Sequence, residues 1–178
     1  TLQDFDFCGQ VSTSSFQLGK MVNNSDLGAV KFHAHMDIQV DSMAFRQCKA
    51  NMKIDQIEYR GYTYEDIQFD GEVTTEQMNG YLNIQDENVQ LNMEGLADWS
   101  KKDTRLDITA HLEDLRPEAI HLTEAYPEMA ISATAYVNLY TSGELNQVLD
   151  NLTGYIIIDT LDVRNSEKQV VMEQLKVL

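Results

Sequence analysis

Lysine and arginine are scarce in this chain, and their scarcity argues against several kinds of partner. The sequence has 13 of them against 29 aspartates and glutamates, which gives a net charge of −16. Phosphate binding requires clustered basic side chains, so the composition predicts no nucleic-acid partner. Docking on an anionic lipid surface is disfavoured for the same reason. We interpret the acidic excess as the solvent side of a sheet whose other side is apolar.

Cysteines and long apolar runs are also few. Cys8 and Cys48 are the two cysteines, and two residues cannot establish a disulfide, so a bridge and two free thiols both remain open. No apolar run approaches the ~20 residues of a membrane-spanning helix. Because the chain begins and ends within strand-like sequence, we expect it to be a segment of a longer protein.

Motifs for catalysis are missing as well. The sequence contains no glycine-rich phosphate loop, no G-x-S-x-G elbow and no Cys/His nucleophile pair. The adjacent carboxylates Glu65-Asp66, Asp86-Glu87 and Glu113-Asp114 would point to opposite faces of a strand, which does not suit general acid–base work. We interpret them as solvated turn and rim positions, and we predict no catalytic residue and no cofactor.

The most tempting metal site is His33 and His35 with Asp37. Residues two apart on a strand share a face, and these types can ligate a metal. They fall, however, on the polar phase of their strand, where exposed histidines are the commoner outcome. We therefore predict no metal site.

What the chain does have is apolar residues at every second position. Met78–Gln85 reappears as Leu152–Asp159 with the same order of apolar, polar, Gly and Tyr residues. Period-two alternation predicts strands with one wet face, and short turns between them favour antiparallel pairing. We predict an all-β, mainly antiparallel, elongated or curved sheet that forms one β-rich module over residues 1–178. The residues predicted for its apolar inner face, whether groove or core, are Phe32, Ala34, Met36, Ile38, Met52, Ile54, Ile67, Phe69, Leu82, Ile84, Val89, Leu91, Met93, Leu106, Ile108, Ile131, Ala133, Val137, Ile156 and Ile158.

Two or three short helices interrupt this pattern. Ser14 or Ser15 can cap a helix that carries Leu18, Met21 and Val22. Pro117 suits the first position of a second helical turn that continues to Thr123. Leu145, Val148 and Leu149 form a third apolar stripe.

Tyrosines cluster in two places, at Tyr59, Tyr62 and Tyr64 and at Tyr136 and Tyr140. Such clusters can bind sugar or peptide by stacking. Packing between strands is the commoner role, and it is the interpretation that we favour here.

Several phrases, in this order, resemble the TamB group of AsmA-like envelope proteins in its Bacteroidetes form. They are Phe16–Gly28, Ile57–Ile67, Phe69–Gly71, Met78–Ile84 and Asn88–Asp98. The resemblance covers about residues 5–115 well. Each phrase is mostly strand pattern plus a glycine, and the order of the phrases carries the resemblance.

The resemblance implies a non-enzymatic role in the cell envelope. In that family a long sheet with an apolar interior is anchored in the inner membrane and crosses the periplasm of a Gram-negative bacterium. It moves phospholipid between membranes and assists outer-membrane assembly with a barrel protein of the TamA type. Here the apolar face would accept phospholipid acyl chains, while the anchor and the barrel contact would lie in regions outside this chain.

Two alternatives remain open at this stage. A closed β-sandwich that serves as an adhesin or glycan-binding module would make the apolar residues plain core and give the tyrosines the function. A lipocalin-like carrier would enclose one small apolar ligand.

Overall fold

The computed structural model describes residues 4–41, 44–101, 103–123, 128–142 and 152–177. It contains one open sheet of ten antiparallel strands, in which each strand pairs with its neighbours in the chain from β1 to β10. The strands are β1 Phe5–Gln17, β2 Leu27–Asp41, β3 Ala44–Tyr59, β4 Tyr62–Thr74, β5 Gln77–Asp86, β6 Val89–Asp98, β7 Asp103–Leu115, β8 Ala130–Ser142, β9 Leu152–Arg164 and β10 Gln169–Val177, and helix α1 is Leu18–Val22.

The prediction of an all-β, mainly antiparallel fold is confirmed. The described strands form one sheet and not the two facing sheets of a sandwich, and β1 and β10 are its edges, so it is not closed as a lipocalin barrel is. Both closed alternatives differ from this architecture.

The chain exposes an unusually large surface for its size. Its accessible area is 11877 Å² for a mass of 20.3 kDa. A compact monomer of that mass exposes roughly 8,800 Å². The excess of about a third follows from the single layer, because a sheet without a second layer leaves much of both faces accessible.

The first helix is present, but its predicted cap is wrong. Ser14 and Ser15 continue strand β1, and Gln17 precedes α1 without a side-chain capping bond. The helix ends at Val22 and is capped by Asn23, whose left-handed backbone (φ 53°) lets the N–H of Asn24 bond to the Gly19 carbonyl at 2.9 Å. A five-residue helix is too short to be stable alone, and α1 packs against β2.

The second predicted helix is a single hydrogen-bonded turn. The backbone N–H groups of Ile120 and Leu122 bond to the carbonyls of Arg116 and Pro117 at 3.2 and 2.7 Å. The third predicted helix, on Leu145, Val148 and Leu149, lies outside the described residues.

Several strands have a bulge or a residue of positive φ at a similar position along their length. Asp55 is an extra residue of β3 between the pairs Lys31–Gln56 and Phe32–Ile54. On β4 and β7, Asp66 and Asp114 adopt positive φ values of 47° and 48°. Bulges of this kind bend strands and increase their twist, which gives a long sheet local curvature.

Candidate functional site: the apolar face

The strand register aligns apolar residues into four rows that cross the sheet. We call these rows together the apolar face and name each by one member. The Ile84 row is Thr13, Phe32, Ile54, Ile67, Ile84, Leu91, Leu112, Ala133, Leu161 and Met172, and the Met52 row is Val11, Ala34, Met52, Phe69, Leu82, Met93, Ala110, Ala135, Ile158 and Leu175. The Gly80 row is Gly9, Met36, Ala50, Gly71, Gly80, Gly95, Ile108, Val137, Ile156 and Val177. The Leu106 row is Phe7, Ile38, Cys48, Val73, Met78, Ala97, Leu106, Leu139 and Gly154.

The residues predicted for the apolar face all lie on this one side of the sheet. All of them except Val89 and Ile131 belong to the four rows. Val89 precedes Leu91 by two residues on β6, and Ile131 precedes Ala133 by two residues on β8, so alternation places both on the same side.

The apolar face is longer than a lipid acyl chain. With strands about 4.8 Å apart, the three rows of ten residues are about 43 Å long and the Leu106 row of nine is about 38 Å long; four rows two residues apart span about 20 Å along the strands. An acyl chain spans roughly 15 Å, half of the hydrocarbon core of a bilayer. The face therefore has room for more than one chain.

Little of the apolar face is fully buried. Ala34 and Ile67 are the members of the four rows with under a tenth of their surface exposed, and Met78 keeps 43%. Among the described elements, strands contact their sheet neighbours and α1 packs against β2. No second described layer lies over the rows, so most of these side chains are half-exposed.

Three glycines lie side by side in the middle of the face. Gly71, Gly80 and Gly95 are paired across β4, β5 and β6. The ring of Phe69 covers the first two, because a Cβ added at Gly71 would lie 2.5 Å from Phe69 Cζ and one at Gly80 would lie 3.2 Å from Cε2. An aromatic ring over backbone glycine is a known means of stabilising a strand.

Beside these glycines the apolar face has a depression. It has a volume of about 140 Å³, and its lining includes Phe69, Met78, Leu82, Met93 and Leu106. Its floor is glycine backbone, and its walls are apolar side chains. Such a site can hold a methylene chain, and it presents no acid, base or nucleophile to a ligand.

One end of the face is closed by a polar network that the sequence interpretation missed. Asp86 was interpreted as a solvated turn residue, but it is only 3% exposed. It accepts hydrogen bonds from the Tyr62 hydroxyl at 2.5 Å, from the Glu65 N–H at 3.0 Å and from the Asn88 N–H at 2.8 Å. Three donors satisfy the carboxylate, which is what its burial requires.

The Pro117–Thr123 turn and the aromatic cluster lie at the same end. Ile120 is 7% exposed, and Nδ1 of His121 lies 3.1 Å from the carbonyl oxygen of Arg60 in the β3–β4 hairpin. Tyr62 and Tyr64 pack edge to face with ring centroids 4.8 Å apart. Both rings belong to β4, so this contact lies within one strand and is not the packing between strands that we favoured. Burial, and then the bond to Asp86, raise the pKa of Tyr62 to about 12.

The two cysteines lie on different faces. Cys48 belongs to the Leu106 row, whereas Cys8 pairs with Asp37 on the polar side. They are on β1 and β3, about 9.6 Å apart by strand spacing, and a disulfide needs Cα atoms within about 7 Å. Both thiols are free.

The opposite face of the sheet is polar, and the candidate histidines lie there. His33 Nε2 is 3.4 Å from Asp55 Oδ2, and His35 Nε2 is 3.9 Å from Cys8 Sγ. Lys53 and Asn51 are their partners across the ladder. Over the described residues, no group of three or more His, Cys, Asp or Glu side chains is placed to hold a metal ion.

The remaining adjacent carboxylates take separate structural roles. Asp66 lies 3.6 Å from the Lys53 ammonium. Partial burial opposes ionisation of Asp114, but hydrogen bonds from Arg164 and Arg116 outweigh it and hold the Asp114 pKa below its ordinary value. Neither carboxylate forms a pair with its chain neighbour for acid–base work.

Comparison with known proteins adds no relative. No family model, no curated protein and no solved structure matches the chain. Across the part of the chain that the structure describes, no helix is long and apolar enough to span a membrane.

Proposed function

We propose that this chain is a non-enzymatic segment of a cell-envelope protein and that its apolar face carries phospholipid acyl chains between the inner and outer membranes. The observation that carries the proposal is the set of four apolar rows on one uncovered side of a single sheet. A monomer seldom exposes a contiguous apolar patch of more than a few hundred Å² unless a partner or a ligand covers it.

The energetics suit a carrier of acyl chains. Burial of one CH₂ group contributes about 0.8 kcal/mol, so a chain of about 15 carbons lying with one side on the face gains roughly 6 kcal/mol relative to water. The same chain is fully buried in a bilayer. Release of the acyl chain from the apolar face into a membrane is therefore favourable. Its transfer from a membrane to the apolar face needs a further region that delivers the lipid.

The charge of the chain agrees with transfer of single lipids. With a net charge of −16, adsorption of the whole sheet on an anionic membrane is disfavoured. The carboxylates of the described strands are concentrated on the polar face and at the ends of the sheet. Headgroups can therefore remain in solvent at the rim while acyl chains lie on the apolar face.

The likeness to AsmA/TamB proteins supports the same proposal from the sequence side. From that resemblance we propose a location in the periplasm of a Gram-negative bacterium, with an anchor in a region outside this chain. A barrel partner of the TamA type would bind through regions outside this chain as well.

Native mass spectrometry of the protein purified from an envelope fraction tests this function, together with lipid extraction of the same sample. We expect copurifying phospholipid on the wild-type chain. Met36→Asp, Leu91→Asp and Met93→Asp each place a charge on the apolar face and should lose that lipid. Circular dichroism of each variant shows whether the sheet is retained.

The matched control is Asn92→Asp. Asn92 lies next to Met93 on β6 but points to the polar face, where its Oδ1 accepts bonds from Asn83 and Tyr81. An aspartate can still accept these bonds, so the same added charge should leave the lipid bound. A lipid-free mass for the wild type, under conditions that retain lipid on a known carrier, would contradict the proposal.

A further inference from the structure

The polar face has a cleft of its own, which has no part in the proposed binding of acyl chains. Its volume is about 610 Å³, and it is shallow and open to solvent. It lies behind Gly80 and Gly95, whose backbones also border the apolar depression. The two sites are thus separated by one layer of backbone, and each can be tested without the other.

Three tyrosine rings line this cleft, on the side of the sheet where burial does not require aromatic residues. Tyr81, Tyr136 and Tyr155 are 43%, 45% and 38% exposed. Tyr136 was one of the tyrosines noted in the sequence, and the side chain of its companion Tyr140 lies outside the described residues. Tyr81 and Tyr155 are the repeated tyrosines of the two matching strand segments.

The register spaces the three rings along the cleft. The partners across β5 to β8 are Tyr81, Glu94, Thr109 and Tyr136, so the first and last are three strand spacings, about 14 Å, apart. Tyr136 pairs with Ile157, so Tyr155 is its diagonal neighbour at about 7–8 Å between Cα atoms. The rings form a line longer than one small ligand.

The carboxylates between the rings differ in their partners. Asp70 accepts a bond from the Asn51 amide at 2.8 Å, and Asp107 is bound by Arg105 and Asn138. Among the described residues Glu94 has no hydrogen-bond or ion-pair partner. Asp70 and Glu94 have no basic partner among the described residues, so the cleft repels an anionic ligand, while both carboxylates can accept hydroxyl protons.

A lysine at one end opposes binding of a cation on the Tyr155 ring. The Lys176 ammonium lies 5.4 Å from the centroid of the Tyr155 ring, where a cationic ligand would otherwise bind. A hydroxyl-rich neutral ligand meets neither repulsion. It can stack its C–H face on the electron-rich rings and donate hydroxyl protons to Glu94 and to amide oxygens.

From these contacts we propose that the polar face binds a neutral oligosaccharide several rings long, stacked on Tyr81, Tyr136 and Tyr155. The site is independent of lipid carriage. The sheet then has two ligand surfaces, an apolar one for acyl chains and a polar one for glycan.

Isothermal titration of the purified chain with chitohexaose, cellohexaose and maltohexaose tests the proposal, with hexalysine as the competing cationic ligand. We expect saturable binding of at least one neutral hexasaccharide in the millimolar range or tighter. Tyr136→Ala should weaken it by about tenfold, and Tyr136→Phe, which keeps the ring, should leave it within about twofold. The Phe variant also controls for effects of substitution at this position.

Glu94→Gln separates neutral from cationic ligands. A glutamine still accepts a hydroxyl proton, so glycan binding should persist. Three results would overturn the proposal: no binding by any of the hexasaccharides, glycan binding that Tyr81→Ala and Tyr136→Ala both leave unchanged, or tighter binding of hexalysine that Glu94→Gln abolishes. The last would identify a site for a basic peptide.

Discussion

The hydroxyl of Tyr62 donates a 2.5 Å hydrogen bond to Oδ1 of Asp86, a carboxylate with 3% of its surface exposed. The Asn88 amide in turn donates to the Tyr62 oxygen at 3.1 Å. These groups lie where the β3–β4 and β5–β6 hairpins meet. They tie the two hairpins together at the end of a sheet over which the described residues place no second layer.

We expect Tyr62→Phe to destabilise the protein because it removes a donor from a buried carboxylate. The cost of leaving such a group unsatisfied is about 1–3 kcal/mol, measured as the change in the free energy of unfolding in urea. Tyr136→Phe is the control, since the Tyr136 hydroxyl has no hydrogen-bond partner in the described part of the chain, and it should change stability by less than about 0.5 kcal/mol. Equal effects of the two substitutions would argue against the network.

Stability should fall at alkaline pH, with Tyr62 as one cause. Its folded-state pKa of about 12 lies above the ordinary value of 10.0. The unfolded chain therefore loses the phenol proton first, and folding is disfavoured as the pH rises from about 10 to 12. Tyr62→Phe should have a shallower decline over that interval. A decline of the same slope in both proteins would show that Tyr62 does not titrate in this way.

Period-two patterning predicted the antiparallel β fold and the side to which the listed apolar residues point, but it did not predict strand β1. The residues from Phe32 to Ile38 illustrate the correct part, because the side to which a strand residue points depends only on its position in the local alternation. Asp86 shows what patterning cannot provide. Its burial depends on Tyr62 and Glu65, more than twenty residues away, and a carboxylate beside a turn has the same local sequence whether it is exposed or bonded.

The start of helix α1 was predicted too early because strand pairing competes with helix capping for the same residues. Ser14 and Ser15 are suitable N-caps, yet pairing of β1 with β2 continues through Phe16 and Gln17. Backbone bonds to a neighbouring strand outweigh one side-chain cap. The alignment of Tyr81 with Tyr136 also required the register of four strands, which no local pattern contains.

The glycines of the Gly80 row should differ in their tolerance of alanine. A Cβ at Gly71 would lie 2.5 Å from Phe69 Cζ and 2.9 Å from the Asn79 carbonyl oxygen, whereas one at Gly95 would approach nothing closer than 3.2 Å. We expect Gly71→Ala to cost about 1–3 kcal/mol of unfolding free energy and Gly95→Ala to stay within about 1 kcal/mol. The reverse order in thermal or urea unfolding would contradict the packing of Phe69 on Gly71.

Cys8 and Cys48 should differ in thiol reactivity because they lie on opposite faces of the sheet. Cys8 is exposed, while burial, and then the charge of Asp37, raise the pKa of Cys48. Cys8 should therefore react with a maleimide faster than Cys48 at neutral pH, because the thiolate is the reactive form. Peptide mapping after mild oxidation should yield no bridge between Cys8 and Cys48 within one chain. Such a bridge in folded protein would contradict the register of β1, β2 and β3.

The central claim is that one face of this sheet carries lipid, and site-specific photo-crosslinking tests it most directly. A photoreactive amino acid is placed at Met93 on the apolar face or at Asn92, one residue away on the polar face, and the cells are irradiated before the protein is extracted. We predict that phospholipid is crosslinked at position 93 and not at position 92. Crosslinking of lipid at both positions alike, or at neither, would contradict the account.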